Sequence, residues 1–306
     1  MNNDRIQEIL DLMEEARLDY FLISDPQSIA YCTGYYNDPH ERMFVFMISK
    51  HGNHTLFMND LFYLDHDLDV NIVWHKDGQD AIQTIVDEMH FPGRIGIDKN
   101  WASHFLLDLM KKLPDAKYIN ASPCVDLVRM KKDLQEQVLM IESSKINDAV
   151  MEEIIPFIQE GVTEKQLAKK LDELFFNHHS TCYGAIVAFG KNAADPHHEN
   201  DDTLLRKGDC VLIDMGCVYK GYCSDMTRTF FYEGILEEEI KVYEIVKKAN
   251  EAAEAMIKPG VKLSDIDKCA RKVISDEGYG KYFTHRLGHF IGRDVHEYGD
   301  VSSVNE

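Results

Sequence analysis

Apolar positions in the first 130 residues switch repeatedly between helical and strand-like spacing. Within residues 4–17, Ile6, Ile9, Leu10 and Met13 recur at helical intervals and predict an amphipathic helix. Tyr20-Phe21-Leu22-Ile23 is a short apolar run closed by Ser24-Asp25-Pro26, the pattern of a buried strand. Residues 43–48 and 55–58 predict two more strands across the turn His51-Gly52-Asn53. Residues 79–89 then predict a helix, 93–97 a strand and 102–113 another helix. Alternating strands and helices predict an α/β domain.

The basic stretch Arg129-Met130-Lys131-Lys132 leads into a long helical segment from 134 to about 159. Its apolar positions are Val138, Ile141, Ile146, Val150 and Ile154, and Pro156 and Gly161 mark its end. Thr163-Glu164-Lys165-Gln166 has the form of a capping box opening a helix through Phe176. A boundary near 126–132 gives domains 1–128 and 132–306. Residues 183–189 predict a strand, followed by the polar loop GKNAADPHHENDD. Amphipathic helices are expected over 237–257 and 263–277, separated by Pro259-Gly260.

Between the polar loop and these helices lies VLIDMGCVYKGYCSDMTRTF, an apolar strand, a turn at Lys220-Gly221 and a return strand. With that turn, Asp214 pairs with Thr227 and Gly216 with Asp225. Paired residues share a face, as do residues two apart along a strand, so Asp214 and Asp225 point the same way. Two carboxylates aimed at one spot repel unless a cation or a shared proton lies between them.

Composition narrows the partners. The chain has 306 residues, 28% of them charged, and a formal net charge of −20, which argues against a nucleic-acid backbone as partner. MNNDRIQEIL lacks the basic and apolar regions of a secretory signal, and no apolar run approaches the length of a membrane span. Seven cysteines without a C-x-x-C fit a reducing cytoplasm, and Cys217 and Cys223 are expected to be packed free thiols.

Histidine is the remaining signal. His285, His289 and His296 are interleaved with Gly288 and Gly292, which argues against a helical zinc motif. Imidazole ligates transition metals and moves protons near neutral pH. His197 and His198 precede the hairpin, and spacing alone does not choose between them. Histidines 51, 54, 66, 75, 90, 104, 178 and 179 read as surface or capping residues. Asp65-His66-Asp67-Leu68-Asp69 lacks the glycine and terminal glutamate of a calcium loop and reads as a solvated turn.

Taken together, DMGCVYKGYCSDMTRT and HRLGHFIGRDVHE resemble the pita-bread-fold metallopeptidases of the creatinase, aminopeptidase P and prolidase family. The similarity is greatest to bacterial Xaa-Pro dipeptidases. It implies an α/β (α+β) chain: a creatinase-type N-terminal α/β domain followed by a pita-bread catalytic domain. It also implies two divalent metal ions, Mn²⁺ first, with Co²⁺ or Zn²⁺ as alternatives. Asp214, Asp225 and His289 would be ligands, and a metal-activated hydroxide would attack the Xaa-Pro bond. His197 and His296 would act on the substrate and its tetrahedral intermediate, and His285 would line the pocket. Asp38-Pro39-His40-Glu41-Arg42 resembles a charged loop of bacterial prolidases. In a cytoplasmic homodimer this loop would bring Arg42 to a dipeptide's carboxylate.

The family pattern also includes two later glutamate ligands, in T-[IV]-E-P-G and R-[IL]-E-D strands, and neither occurs in these 306 residues. The expectation is therefore a catalytic domain incomplete at its C-terminus, with metal binding weakened or lost. The alternatives are an aminopeptidase P-type exopeptidase, a metal-free creatinase-like hydrolase and a non-catalytic binding module.

Overall fold

Strand β1 (Tyr20–Ile23) shows how the N-terminal unit is built. Phe21 and Ile23 enter one apolar cluster, and Tyr20 and Leu22 enter another on the opposite face. Both faces are covered, so the strand is a continuous apolar run rather than an alternating one. The computed structural model describes residues 1–90 and 92–306, and the chain divides into units Met1–Lys131 and Lys132–Glu306.

The first unit contains α1 (Asn3–Glu15), α2 (Pro26–Thr33), β2 (Val45–Ser49), β3 (Thr55–Asn59), β4 (Asn71–His75), α3 (Ala81–Glu88), β5 (Arg94–Ile97), α4 (Ser103–Lys112), β6 (Lys117–Asn120) and α5 (Ser122–Met130). Six strands form one mixed sheet in the order β4-β3-β2-β1-β5-β6. Ile6, Ile9 and Met13 of α1 and Val125 and Val128 of α5 cover one face. Ile82 and Ile85 of α3 and Leu109 of α4 cover the other. Truncating a fully buried core residue such as Phe21 to alanine costs about 3–5 kcal/mol.

Four elements of this unit escape the periodicity reading. β4 and β6 are edge strands only partly buried, so they carry little alternation. In α2, Asp25 caps the helix and Pro26 takes its first turn, so the signal that ends β1 also starts a helix. α5 likewise starts at Ser122-Pro123. His75 is not a surface residue: it is buried, and its Nε2–H donates to the Met43 carbonyl (3.1 Å). Arg129, part of the basic stretch, is also buried, with Nη1 donating to Asp25 (3.1 Å) and Ser28 (2.8 Å).

The second unit opens with α6 (Leu134–Ile154) and α7 (Glu164–Asn177), each with a complete capping box, Asp133 with Glu136 and Thr163 with Gln166. It continues through β7 (Thr181–Cys182), β8 (Ile186–Phe189), β9 (Cys210–Met215), β10 (Cys217–Tyr219), β11 (Tyr222–Cys223), β12 (Met226–Phe231), α8 (Glu237–Glu254), α9 (Leu263–Asp276), β13 (Gly288–Phe290) and β14 (Glu297–Val301). Sheets β12-β9-β8 and β11-β10-β7 carry the hairpin, and β13-β14 carries the last histidines. Val150, Ile154, Leu167, Leu171 and Phe175 of the helices pack on Val187, Val211, Ile213 and Met215.

Helix α6 departs from the expected stripe. Val138 and Ile141 are 58% and 54% exposed, whereas Glu136, Ser143 and Asn147 are buried. The buried polar side chains serve the hairpin. Glu136 accepts from Tyr222 Oη (2.9 Å), Ser143 Oγ donates to the Cys217 carbonyl (3.3 Å), and Asn147 donates to that of Met215 (3.4 Å). Cys217 and Cys223 are buried free thiols.

Candidate active site

The hairpin has the register expected from its turn. Asp214 pairs with Thr227 and Ile213 with Arg228, and β10–β11 continues the same pairing at Val218–Cys223. Lys220 and Gly221 both have positive φ, 49° and 83°, as a type I′ turn requires. Thr227 Oγ1 donates to Asp214 Oδ1 (2.8 Å), fixing one carboxylate by its cross-strand partner.

Asp225 follows the second close approach of the hairpin. Tyr183 Oη donates to the Ser224 carbonyl (2.8 Å). The phenol fills the space that a Cβ on Gly216 would occupy, so only glycine fits where β9 passes into β10. Burial and then the charge of Asp214 push the Asp225 carboxyl above the usual carboxylate range, opposed by His289 and His296. Burial and the two aspartates likewise push the Tyr183 phenol up, so it stays neutral.

His289 stands on β13 with its Nε2 3.4 Å from Asp225 Oδ2. Its Nδ1 lies 3.1 Å from the Phe290 carbonyl, which can only accept, so Nδ1 carries the proton in the neutral ring. The Nε2 lone pair then faces a carboxylate oxygen. Acceptor facing acceptor, beside a second carboxylate, is a donor set that fits a cation. The His296 ring packs edge-on against His289, with centroids 4.3 Å apart. Burial first, with His289 and Arg286 adding to it, holds His296 below the usual histidine range.

The structure thus brings Asp225, His289 and His296 together, with Asp214 near enough to raise Asp225. Other sequence candidates lie differently. His285 is exposed, its Nδ1–H donating to the Arg286 carbonyl (2.7 Å). Arg42 is held within its own unit, bidentate to Asp77 (3.0 and 2.8 Å) and 2.7 Å from Glu41.

The adjacent histidines are separated by their partners. His198 Nε2 donates to Glu164 Oε2 (2.6 Å), whereas the His197 ring is exposed and has no hydrogen-bonding partner among the described residues. Glu164 is fully buried at the start of α7 and also accepts from Phe189 N (2.8 Å), Asn192 Nδ2 (3.0 Å) and Asp201 N (3.0 Å). Ligand atoms of Glu164, His198 and Asp201 lie within 4.8 Å of one another. Four donors already meet the Glu164 carboxylate, so it anchors the loop carrying His197. Sequence reading missed Tyr183, Glu164 and Asn200 because each acts through a fold contact. Asn200, for example, accepts from Val187 N (2.7 Å) and donates to the Ala185 carbonyl (2.7 Å).

Residues 138–306 match metallopeptidase family M24. The chain belongs to this family. Residues 5–131 match the creatinase/prolidase N-terminal domain, so the fold is a creatinase-type α/β domain followed by an M24 pita-bread domain. An uncharacterized peptidase of Staphylococcus aureus is 33% identical over 98% of this chain and 87% of its own length. A prolidase from Thermococcus sibiricus superposes with a TM-score of 0.91 at 30% identity, covering 100% of this chain and 86% of that one. An Xaa-Pro dipeptidase from Bacillus anthracis gives 0.89 at 27% identity, covering 99% and 85%. Membership in M24 and these neighbours make the chain a prolidase-like peptidase by family. Among the described residues, no helix is long and apolar enough to cross a membrane.

Proposed function

We propose that this M24 chain hydrolyses the peptide bond of Xaa-Pro dipeptides with a divalent metal held by Asp214, Asp225 and His289. The observation carrying the proposal is the His289 Nε2 lone pair facing Asp225 Oδ2 at 3.4 Å while Nδ1 is committed to a carbonyl. When bound, a divalent ion polarises the scissile carbonyl and lowers the pKa of water.

The chain's own groups supply the rest. Thr227 orients Asp214, and the Phe290 carbonyl fixes the His289 tautomer. His296, kept neutral at pH 7, is suited to move a proton at the leaving nitrogen of proline. His197, on a loop anchored through its neighbour, is the second group offered to the substrate, and exposed His285 lines the approach. The prolidase and Xaa-Pro dipeptidase neighbours support proline specificity.

The test is metal content of the purified chain together with hydrolysis of an Xaa-Pro dipeptide, with and without Mn²⁺. Stoichiometric metal and Mn²⁺-stimulated cleavage are expected. Metal-independent cleavage of a guanidino substrate, or neither metal nor cleavage, rejects the reading.

A homodimeric arrangement in which Arg42 binds a dipeptide's carboxylate on the other subunit belongs to the same proposal. Arg42 would have to exchange Asp77 for that carboxylate, which ties its contribution to substrate binding. Arg42→Ala should raise KM for dipeptides with little change for tripeptides. An unchanged ratio of the two specificity constants rejects the role.

A further inference from the structure

Glu297 directly follows His296, yet its side chain is turned into the fold and only 4% exposed. Its Oε2 accepts from Lys132 Nζ (2.8 Å), a lysine 12% exposed and 165 residues away in sequence. Its Oε1 accepts from the backbone amides of Arg293 (2.8 Å) and Asp294 (3.4 Å). One carboxylate therefore holds the turn that runs from β13 to β14.

That turn is also bonded to the hairpin. Cys223 N donates to the Gly292 carbonyl (2.7 Å), Cys223 Sγ to the Arg293 carbonyl (3.4 Å), and the Arg293 guanidinium lies over the Tyr222 ring (5.5 Å). Asp225 stands two residues beyond Cys223, His289 three residues before Gly292, and His296 beside Glu297. The separation of Asp225 from the two histidines is thus set through this turn. A lysine bringing its charge into so closed a place is compensated only by a partner of opposite sign.

We propose that Lys132 and Glu297 are a positioning pair that holds His289 and His296 against Asp225. Neither touches the reacting atoms in this arrangement. The geometric claim concerns the metal-free chain, and only its consequence for metal affinity rests on the metallopeptidase reading.

Two measurements on the full chain test it. The first is the histidine-ring ¹H–¹⁵N spectrum without metal. In Lys132→Met the His289 and His296 signals should move while those of His51 and His90 stay, and Lys132→Arg should return them toward wild type. The second is calorimetric titration with Mn²⁺ alone, where Lys132→Met should bind about 10–100-fold more weakly and Lys132→Arg should recover most of the loss. If Lys132→Met does not fold, Glu297→Gln, which keeps the amide-accepting oxygen and removes the charge, is read in the same way. Unmoved His289 and His296 signals overturn the pairing whatever Mn²⁺ does. Moved signals with no Mn²⁺ binding by the wild-type chain support the pairing and reject the metal reading alone.

Discussion

Asp225 occupies a place that disfavours its own charge, through burial first and Asp214 second. Asp225→Asn removes that repulsion. It should abolish Mn²⁺ binding while raising metal-free stability by about 0.5 kcal/mol, read as a higher melting temperature. The pH dependence has a definite sign. Between the ordinary carboxylate value and the raised one, the folded chain binds more protons than the unfolded chain, so this contribution to stability falls as pH rises through that window. A divalent ion held as proposed by Asp225 would need the charged carboxylate, so the stabilisation that Mn²⁺ gives should grow over the same window. Melts with and without Mn²⁺ from about pH 4 to 7 check both statements. At this scale the register that sets Asp214 opposite Thr227 was legible, because a two-residue turn fixes it. The choice between His197 and His198 was not, because it depends on Glu164 in another element.

Among elements, the hairpin was the most readable and α6 the least. Turn chemistry determines hairpin register locally, whereas the exposed Val138 and Ile141 and the buried Glu136, Ser143 and Asn147 depend on what α6 packs against. There the backbone break at Gly216 leaves carbonyls needing donors, and polar side chains outrank apolar ones at the buried face. The hairpin itself carries one correctable strain, a lysine at φ 49° in the first turn position. Lys220→Asn should relieve part of the roughly 1 kcal/mol that a left-handed conformation costs, less what is lost when Lys220 Nζ no longer lies over Tyr219. A melting temperature higher by about 1–2 °C, with unchanged Mn²⁺ affinity, is the expected outcome.

At the scale of the whole molecule, two units with their own cores carry a net charge of −20 between them. The field of so acidic a chain concentrates divalent cations near its surface and is screened beyond about 10 Å at 0.1 M salt. Apparent Mn²⁺ affinity should therefore weaken several-fold as NaCl rises from about 0.02 to 0.2 M. Equal affinity across that range, measured by titration, would show that only the ligands' own charges matter. The α/β plan of the first unit followed from its periodicity. Its edge strands β4 and β6 did not, since partly buried strands leave no clear pattern in the sequence.

The side chains that close the free edge of β8 also set a clock. The Val187 and Phe189 amides, on the side away from β9, donate to Asn200 and Glu164 instead of to water. The Val187 proton is held by Asn200 on the loop that bears His197 and exchanges when that loop lifts, whereas the Phe189 proton is held by Glu164 of α7 and does not depend on the loop. The Val187 amide is therefore a native timer of that loop, reporting in deuterium uptake how often the His197 segment leaves its place, with the Phe189 amide as its internal reference.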